Sequence, residues 1–480
     1  MMSKRTMARS AHTLQVLLLM ELILAFTYMN MVSNLQQHLF QVVDYTSARS
    51  HEFYVSFFAL FFASAIFGGL LQRWYHHFIL VCVGMLLFIA GLALSVEPSL
   101  FTIAMSFVIA GAGLIQPNLL VHLSHAYPAD SKRRFMGFCL IYLMANLGML
   151  SSIFLTNWLT VLKWTTFVKL SVPLNGGALL IYFFLHAAYH AMNWRNIELN
   201  DRQRVFALVF VPTLVLVTYL VIWMLENQHA SYWFLMMSIL ICFCYIVSIA
   251  AKSESERRIG YAAVLALVFL NIAFWTNRGM LDAFYSIIFN HSYLLIRYYD
   301  GVNWFSYQMI ESLLIIVLLV LLVCGLYLKP GKNRTDTLIW IAGGSTIVTL
   351  GSILVCDITI FLPNVMAQFR PILALVGFII VVIAEIGIGP TTLTLVGKIA
   401  PRQSEGLLIG VLQCAVGLSQ LISGTMLDSI DWSSHITIVS QDPRLITLAI
   451  IISLIGVAAL VLFFGLLLPI WKTSQKALAD

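Results

Sequence analysis

The stretch GAGLIQPNLLVHLSHAYPADSKRRFMGFCLIYLMANLGML, Gly111 to Leu150, holds two apolar runs around a short polar turn that carries Lys132, Arg133 and Arg134. Extended to residues 101–124 and 135–157, each run reaches the length of about 20 residues that a helix needs to cross a bilayer. A cation-rich turn between two such runs reads as a transmembrane hairpin anchored on the cytoplasmic side.

The pattern repeats along all 480 residues, which are 60% hydrophobic and 10% charged. The mean hydropathy is +0.92. Soluble domains carry about 25% charged residues, so no water-soluble fold can hide this much apolar surface and the solvent is lipid. Spans are predicted near 12–35, 53–72, 78–96, 101–124, 135–157, 172–192, 205–225, 230–250, 260–288, 303–328, 337–361, 371–396, 405–427 and 445–470. The alternating pattern of a β-barrel is absent. The expected fold is an all-α polytopic membrane protein with 14 transmembrane helices. The first apolar run is too long for a cleavable signal and lacks a small-residue cleavage site, so it reads as the first helix.

With both termini placed in the cytoplasm, all but seven of the 27 Lys and Arg residues fall inside. The seven are Arg49, Lys163, Lys169, Arg278, Arg297, Arg370 and Arg444. This bias supports the span count and explains the pI near 8.9 by anchoring loops, not by a nucleic-acid surface. The seven cysteines are scattered through apolar runs and form neither a disulfide framework nor a zinc site. No cofactor is implied.

The longest polar connection inside, MNWRNIELNDRQR (Met192 to Arg204), follows six spans. Two more spans come next, then AKSESERRIG, then six more. The expected organisation is a six-helix bundle over 1–192, a linker with two additional helices over 193–259, and a second six-helix bundle over 260–480. Repeated halves suit alternating access.

Three segments carry a resemblance. Gly111–Leu150, VVIAEIGIGPTTLTLVGKIAP with Glu385, Pro390, Ala400 and Pro401, and the pair AFWTNRG and VNWFSYQMIESLL resemble the proton-dependent oligopeptide transporters of the major facilitator superfamily. The resemblance implies that superfamily's fold, a location in a bacterial inner membrane, and proton-coupled uptake of small peptides. In that family a first-helix Arg and a fourth-helix Lys attract a peptide's carboxylate, and a tenth-helix Glu attracts its amino end. Here ELILAFTYM keeps Glu21, Phe26 and Tyr28, but Leu24 and Ala25 replace the second Glu and the Arg, and Met29 the second Tyr. Gln116 stands for the Lys, Arg278 for a seventh-helix acid, Glu311 for an Asn, Leu412 for a Trp and Gln72 for an Asp. The carboxylate end of the clamp has lost its named cations; the amino end survives as Glu385.

Intramembrane charges are costly and usually pair or face a cavity. At about 1.5 Å per residue, Glu385 lies about 21 Å into its span, near the midplane, and is read as an ammonium partner or proton carrier, or else as a structural carboxylate. Glu21, about 13 Å in, is a proton-coupling candidate or a structural hydrogen-bonding group. Arg278 and Glu311 both fall in the outer third of adjacent helices. They are expected to form a salt bridge acting as a tie or outer gate; the alternative is separate contacts to substrate. A simple pair would survive an exchange of its two residues. Gln116, Asn146, Tyr28 and Tyr142 supply uncharged hydrogen-bonding groups for substrate or between helices. His122 and His125, and His186 and His190, read as solvated interfacial imidazoles, because no carboxylate or cysteine completes a metal set.

Three functions compete. The first is a proton-driven transporter of small peptides or peptide-like solutes. The second is the same fold carrying a non-peptide, amine-bearing solute with altered or no proton coupling, and the third a non-transporting receptor. His-Glu-x-x-His, Gly-x-Ser-x-Gly and phosphate-loop motifs are all missing, which argues against an enzyme and against ATP as the energy source. The expected partners are a small-molecule or short-peptide substrate, protons and lipid; the oligomeric state is not legible.

Overall fold

The computed structural model describes residues 4–128, 132–158, 164–190, 201–253, 255–291, 307–328, 335–361, 370–400, 404–428 and 443–469. These are helical and contain no strand. Lipid offers the backbone no hydrogen-bond partner, so each apolar run must satisfy its own amides, and a helix does so within one segment.

The first span is α1 (Lys4–Gln41), and the second is built from α2 (Ser47–Ala63) and α3 (Ala65–Leu71). Then come α4 (His77–Leu94), α5 (Phe101–Ala126), α6 (Lys132–Trp158) and α7 (Trp164–His190). The two additional helices are α8 (Asp201–Glu226) and α9 (Gln228–Lys252). The last six spans are α10 (Ser255–His291), α11 (Tyr307–Leu328), α12 (Thr335–Phe361), α13 (Arg370–Ile399), α14 (Glu405–Asp428) and α15 (Pro443–Leu462, continuing into a π-turn over Phe463–Leu467). Among the described residues 12 helices are long and apolar enough to cross a membrane. Two shorter apolar stretches, Pro212–Glu226 and Ile450–Gly465, occupy α8 and α15. Each expected span therefore has its helix.

The boundaries differ where helices outrun the hydrocarbon. The first span was expected over 12–35, yet α1 has 38 residues, about 57 Å against a hydrocarbon core of about 30 Å. Polar residues beyond the apolar core continue the same backbone bonding. Residues 303–306 of the expected tenth span, residues 192–200 of the long polar connection, and the side chains of His186 and His190 lie outside the described set.

Local signals set several ends. Thr46 caps α2 by accepting from the Arg49 amide at 3.3 Å, and His76 Nδ1 caps α4 by accepting from the Phe78 amide at 3.3 Å. Ser64 separates α2 from α3; its hydroxyl donates to the carbonyls of Phe61 and Ile109, each at 3.0 Å. The bundle exterior is apolar: Leu180, Phe184, Trp233, Leu321 and Leu454 are exposed, as a lipid-facing surface requires. Polar groups turn inward. Asn175 on α7 donates to Thr27 on α1 at 2.8 Å, and Ser453 on α15 donates to Asp357 on α12 at 2.8 Å.

The first six spans meet the last six along two seams, α2/α3 against α14 and α6 against α11. The first is a backbone-to-backbone approach. A Cβ built on Gly410 would lie 3.0 Å from the Ile66 Cα, and one on Gly69 3.0 Å from the Leu407 Cα. Small residues let transmembrane backbones come this close, where dispersion does the work that the hydrophobic effect does in water.

Gly410→Val therefore forces α14 off α3. Overpacking costs about 1–3 kcal/mol, so the variant should lower the unfolding temperature in detergent, whereas Gly177→Ala, whose Cβ meets nothing within 4 Å, should leave it unchanged. Equal unfolding temperatures for the two would show that this seam is not close-packed.

Candidate functional site

Arg278 on α10 is a buried charge, 2% exposed. Its guanidinium meets three carboxylates. Nε donates to Glu385 Oε2 at 2.8 Å; Nη2 pairs with Glu311 and Nη1 with Asp282, one turn further along α10. The predicted Arg278–Glu311 pair is present, but as one arm of a four-residue network joining α10, α11 and α13. All four residues belong to the last six spans. The pair thus ties helices within one half and does not bridge the two halves.

The connection between halves comes from Tyr142 on α6, whose hydroxyl donates to Glu385 Oε1. Glu385 uses both oxygens, one toward each half. Gly389 lies one turn beyond Glu385, and a Cβ there would sit 3.5 Å from the Tyr142 ring. That distance is ordinary van der Waals contact, so the ring packs beside this turn of α13 with its hydroxyl at the carboxylate. The helix runs through Pro390 without interruption, and Thr394 donates to the Pro390 carbonyl at 2.7 Å.

The other expected site residues divide. Asn146 folds back onto its own helix, donating to the Tyr142 carbonyl at 2.9 Å, and so buttresses α6 under Tyr142. Tyr28 packs in an aromatic cluster with Phe58, Phe61 and Phe62, the Phe61 centroid 4.5 Å away. Its hydroxyl is buried and has no partner among the described residues. The Gln116 side-chain oxygen is likewise buried and unpartnered. Glu21 is half-buried on α1, and its carboxylate has no hydrogen bond or ion pair among the described residues. Ala25, at the position of the missing first-helix cation, is buried against Gly148 of α6.

A second network, which the sequence reading missed, joins the halves at the face that carries Lys132 and Lys398. Glu405, the first residue of α14, is 2% exposed. It pairs with Arg134 of α6 at 2.8 Å and with His125 of α5 at 3.1 Å, and accepts from Ser124. Arg134 also donates to the Gly397 carbonyl of α13 at 2.6 Å and to Ser124. One histidine expectation is corrected here. His125 has a carboxylate partner, and His122 is buried, bonded at Nδ1 to the Tyr182 hydroxyl at 3.0 Å. His122 is therefore not a solvated imidazole, whereas His125 stays exposed while paired with Glu405. No group of three or more His, Cys, Asp or Glu among the described residues has metal-binding geometry.

Comparison with known proteins agrees with this architecture. A family model described as POT family matches residues 76–444. Among solved structures, the chain is similar to a peptide transporter POT in complex with sulfate, at 19% identity, 96% and 94% coverage of the two chains and a TM-score of 0.66. It is also similar to a POT family transporter in complex with 5-aminolevulinic acid, at 20% identity, 96% and 96% coverage and a TM-score of 0.63. A bacterial homologue of the human drug peptide transporters aligns at 16% identity over 97% and 99%, with a TM-score of 0.62. No curated protein matches the sequence.

Because Arg278 serves three acids, exchanging it with Glu311 places a carboxylate at 278 beside Asp282 and Glu385. The double variant Arg278→Glu/Glu311→Arg should fail to rescue either single variant. Arg278→Gln should cost about 3–5 kcal/mol, the usual loss when one partner of a buried pair is removed, read as a fall in detergent unfolding temperature. Full recovery by the exchange would reduce the network to a simple pair.

Proposed function

The chain belongs to the POT family, and on that premise we propose that it is a secondary active transporter. It carries small peptides or peptide-like solutes with protons, by alternating access of two halves around Glu385. The observation that carries this reading is the Tyr142–Glu385–Arg278 chain: a near-midplane carboxylate that bonds one half through a tyrosine and the other through a guanidinium. Rocking of the halves must break the tyrosine bond, and a solute amine is the natural replacement partner for the freed oxygen. Glu385 and Glu21 are the groups proposed to exchange protons.

The halves are proposed to span 1–192 and 260–480, with 193–259 as the two-helix insertion. The protein is an integral membrane protein; we place it in a bacterial inner membrane with both termini cytoplasmic, from the bias of Lys and Arg. In that orientation the Arg134–Glu405–His125 network seals the cytoplasmic side, and Arg278 with its acids lies toward the outside. Membership in a transporter family and the lack of a nucleophile–base set speak against an enzyme.

Reconstituted in liposomes, the wild type should take up members of a dipeptide panel, with free and blocked ends, faster under an inwardly directed proton gradient. Glu385→Gln should lower that uptake at least about tenfold, equivalent to about 1.4 kcal/mol of barrier. Gradient-independent flux would remove proton coupling from the proposal, and unimpaired flux in Glu385→Gln would remove Glu385.

A further inference from the structure

The charge balance around Arg278 specifies the solute more narrowly. One guanidinium faces the three carboxylates of Asp282, Glu311 and Glu385, and each of its nitrogens is already directed at a different one. Its single positive charge is already outnumbered three to one, so a ligand carboxylate would have to compete with acids in place for its N–H groups. Every other Lys or Arg whose side chain is described lies in a loop or within the first or last two turns of its helix. The two positions of the first six spans at which the resemblance expects cations hold Ala25, buried against α6, and Gln116. A free carboxylate on the solute would meet three acids and an already committed arginine.

An ammonium meets the opposite situation. With all four groups ionised the cluster carries a surplus of two negative charges, which buried acids tolerate only if protons or a cation balance them. The carboxylates are also graded in accessibility. Side-chain exposure falls from 33% at Asp282 to 19% at Glu311 and 7% at Glu385, with Arg278 at 2%. The acids thus run from rim to interior, each held by the same guanidinium. An incoming ammonium can take them one at a time while Arg278 keeps the others, so no step leaves a buried acid without a counter-charge.

We infer that this site selects a net cationic solute, bearing an amine and lacking a free carboxylate, and that the solute displaces Arg278 from Asp282, then Glu311, then Glu385. C-terminally blocked peptides and related amine amides are the chemical class. The inference rests on the transport reading above and narrows it, because a zwitterionic peptide is the substrate that this charge arrangement disfavours.

Calorimetric titration of the full-length protein in detergent with dialanine and with dialanine amide tests it. The two differ only in the terminal carboxylate. The amide should bind at least about tenfold more tightly. Equal binding, preference for the free acid, or no binding of either would overturn the inference. Asp282→Asn removes one surplus charge at the accessible rim and should narrow the amide-to-acid ratio several-fold, whereas Asp282→Glu should keep it. An unchanged ratio in a folded Asp282→Asn protein, or the same loss in both variants, would show that the charge at the rim does not select the ligand. Uptake of radiolabelled dialanine amide into liposomes separates the two proposals. Preferential binding without uptake would sink the transport reading and leave the ligand class standing, and uptake of free dialanine without binding of the amide would do the reverse.

Discussion

One buried guanidinium constrains the second half of this protein. Lipid gives an isolated charge no solvation, and the cost of several kcal/mol per ion is met only if counter-charges arrive with good geometry. Arg278 collects three of them, from one turn along its own helix and from two neighbouring helices. The rotation of α10, α11 and α13 about their axes is thereby fixed to within the reach of a side chain. An apolar helix face, by contrast, could rotate against its neighbours at little cost, because lipid tails are as apolar as the side chains they would replace.

The two halves are held together at two depths by polar contacts of different kinds. Midway, a single tyrosine hydroxyl reaches Glu385 over the bare backbone of Gly389. At the basic face, Glu405 draws together Arg134, His125 and Ser124 from two helices of the other half, and Arg134 adds the Gly397 carbonyl. Between these lies the α3/α14 seam, where glycines bring backbones into contact without interlocking side chains. Discrete polar latches joined to smooth glycine seams suit two rigid bodies that must separate at one end and close at the other.

Several motif positions of the first six spans, matched or replaced, are without polar partners among the described residues. Glu21 has no partner among the described residues, and the Tyr28 hydroxyl and Gln116 oxygen are buried without one. Leu24 and Ala25 replace the charged groups that would have engaged them. The charge has moved instead to the last six spans, where Arg278, Glu311 and Asp282 surround Glu385. The ionic network around Glu385 thus lies within the last six spans, with Tyr142 as its contact to the first six.

The chain alone determined the spans, their order and the depth of Glu385. These follow from a length of about 20 apolar residues per crossing and a fixed rise per residue, which are local quantities. The Arg278–Glu311 pairing was legible for the same reason, since two charges at matching depth on consecutive helices have few other partners. Asp282 was within reach as well, four residues after Arg278 on one helix face. The Glu385 link to Arg278, the Tyr142 bond to Glu385, and the Arg134–Glu405 latch were decided only by tertiary structure. Each joins helices 107 to 271 residues apart in sequence. Which faces meet across the bundle depends on how all the helices pack together, and no local hydropathy pattern encodes that.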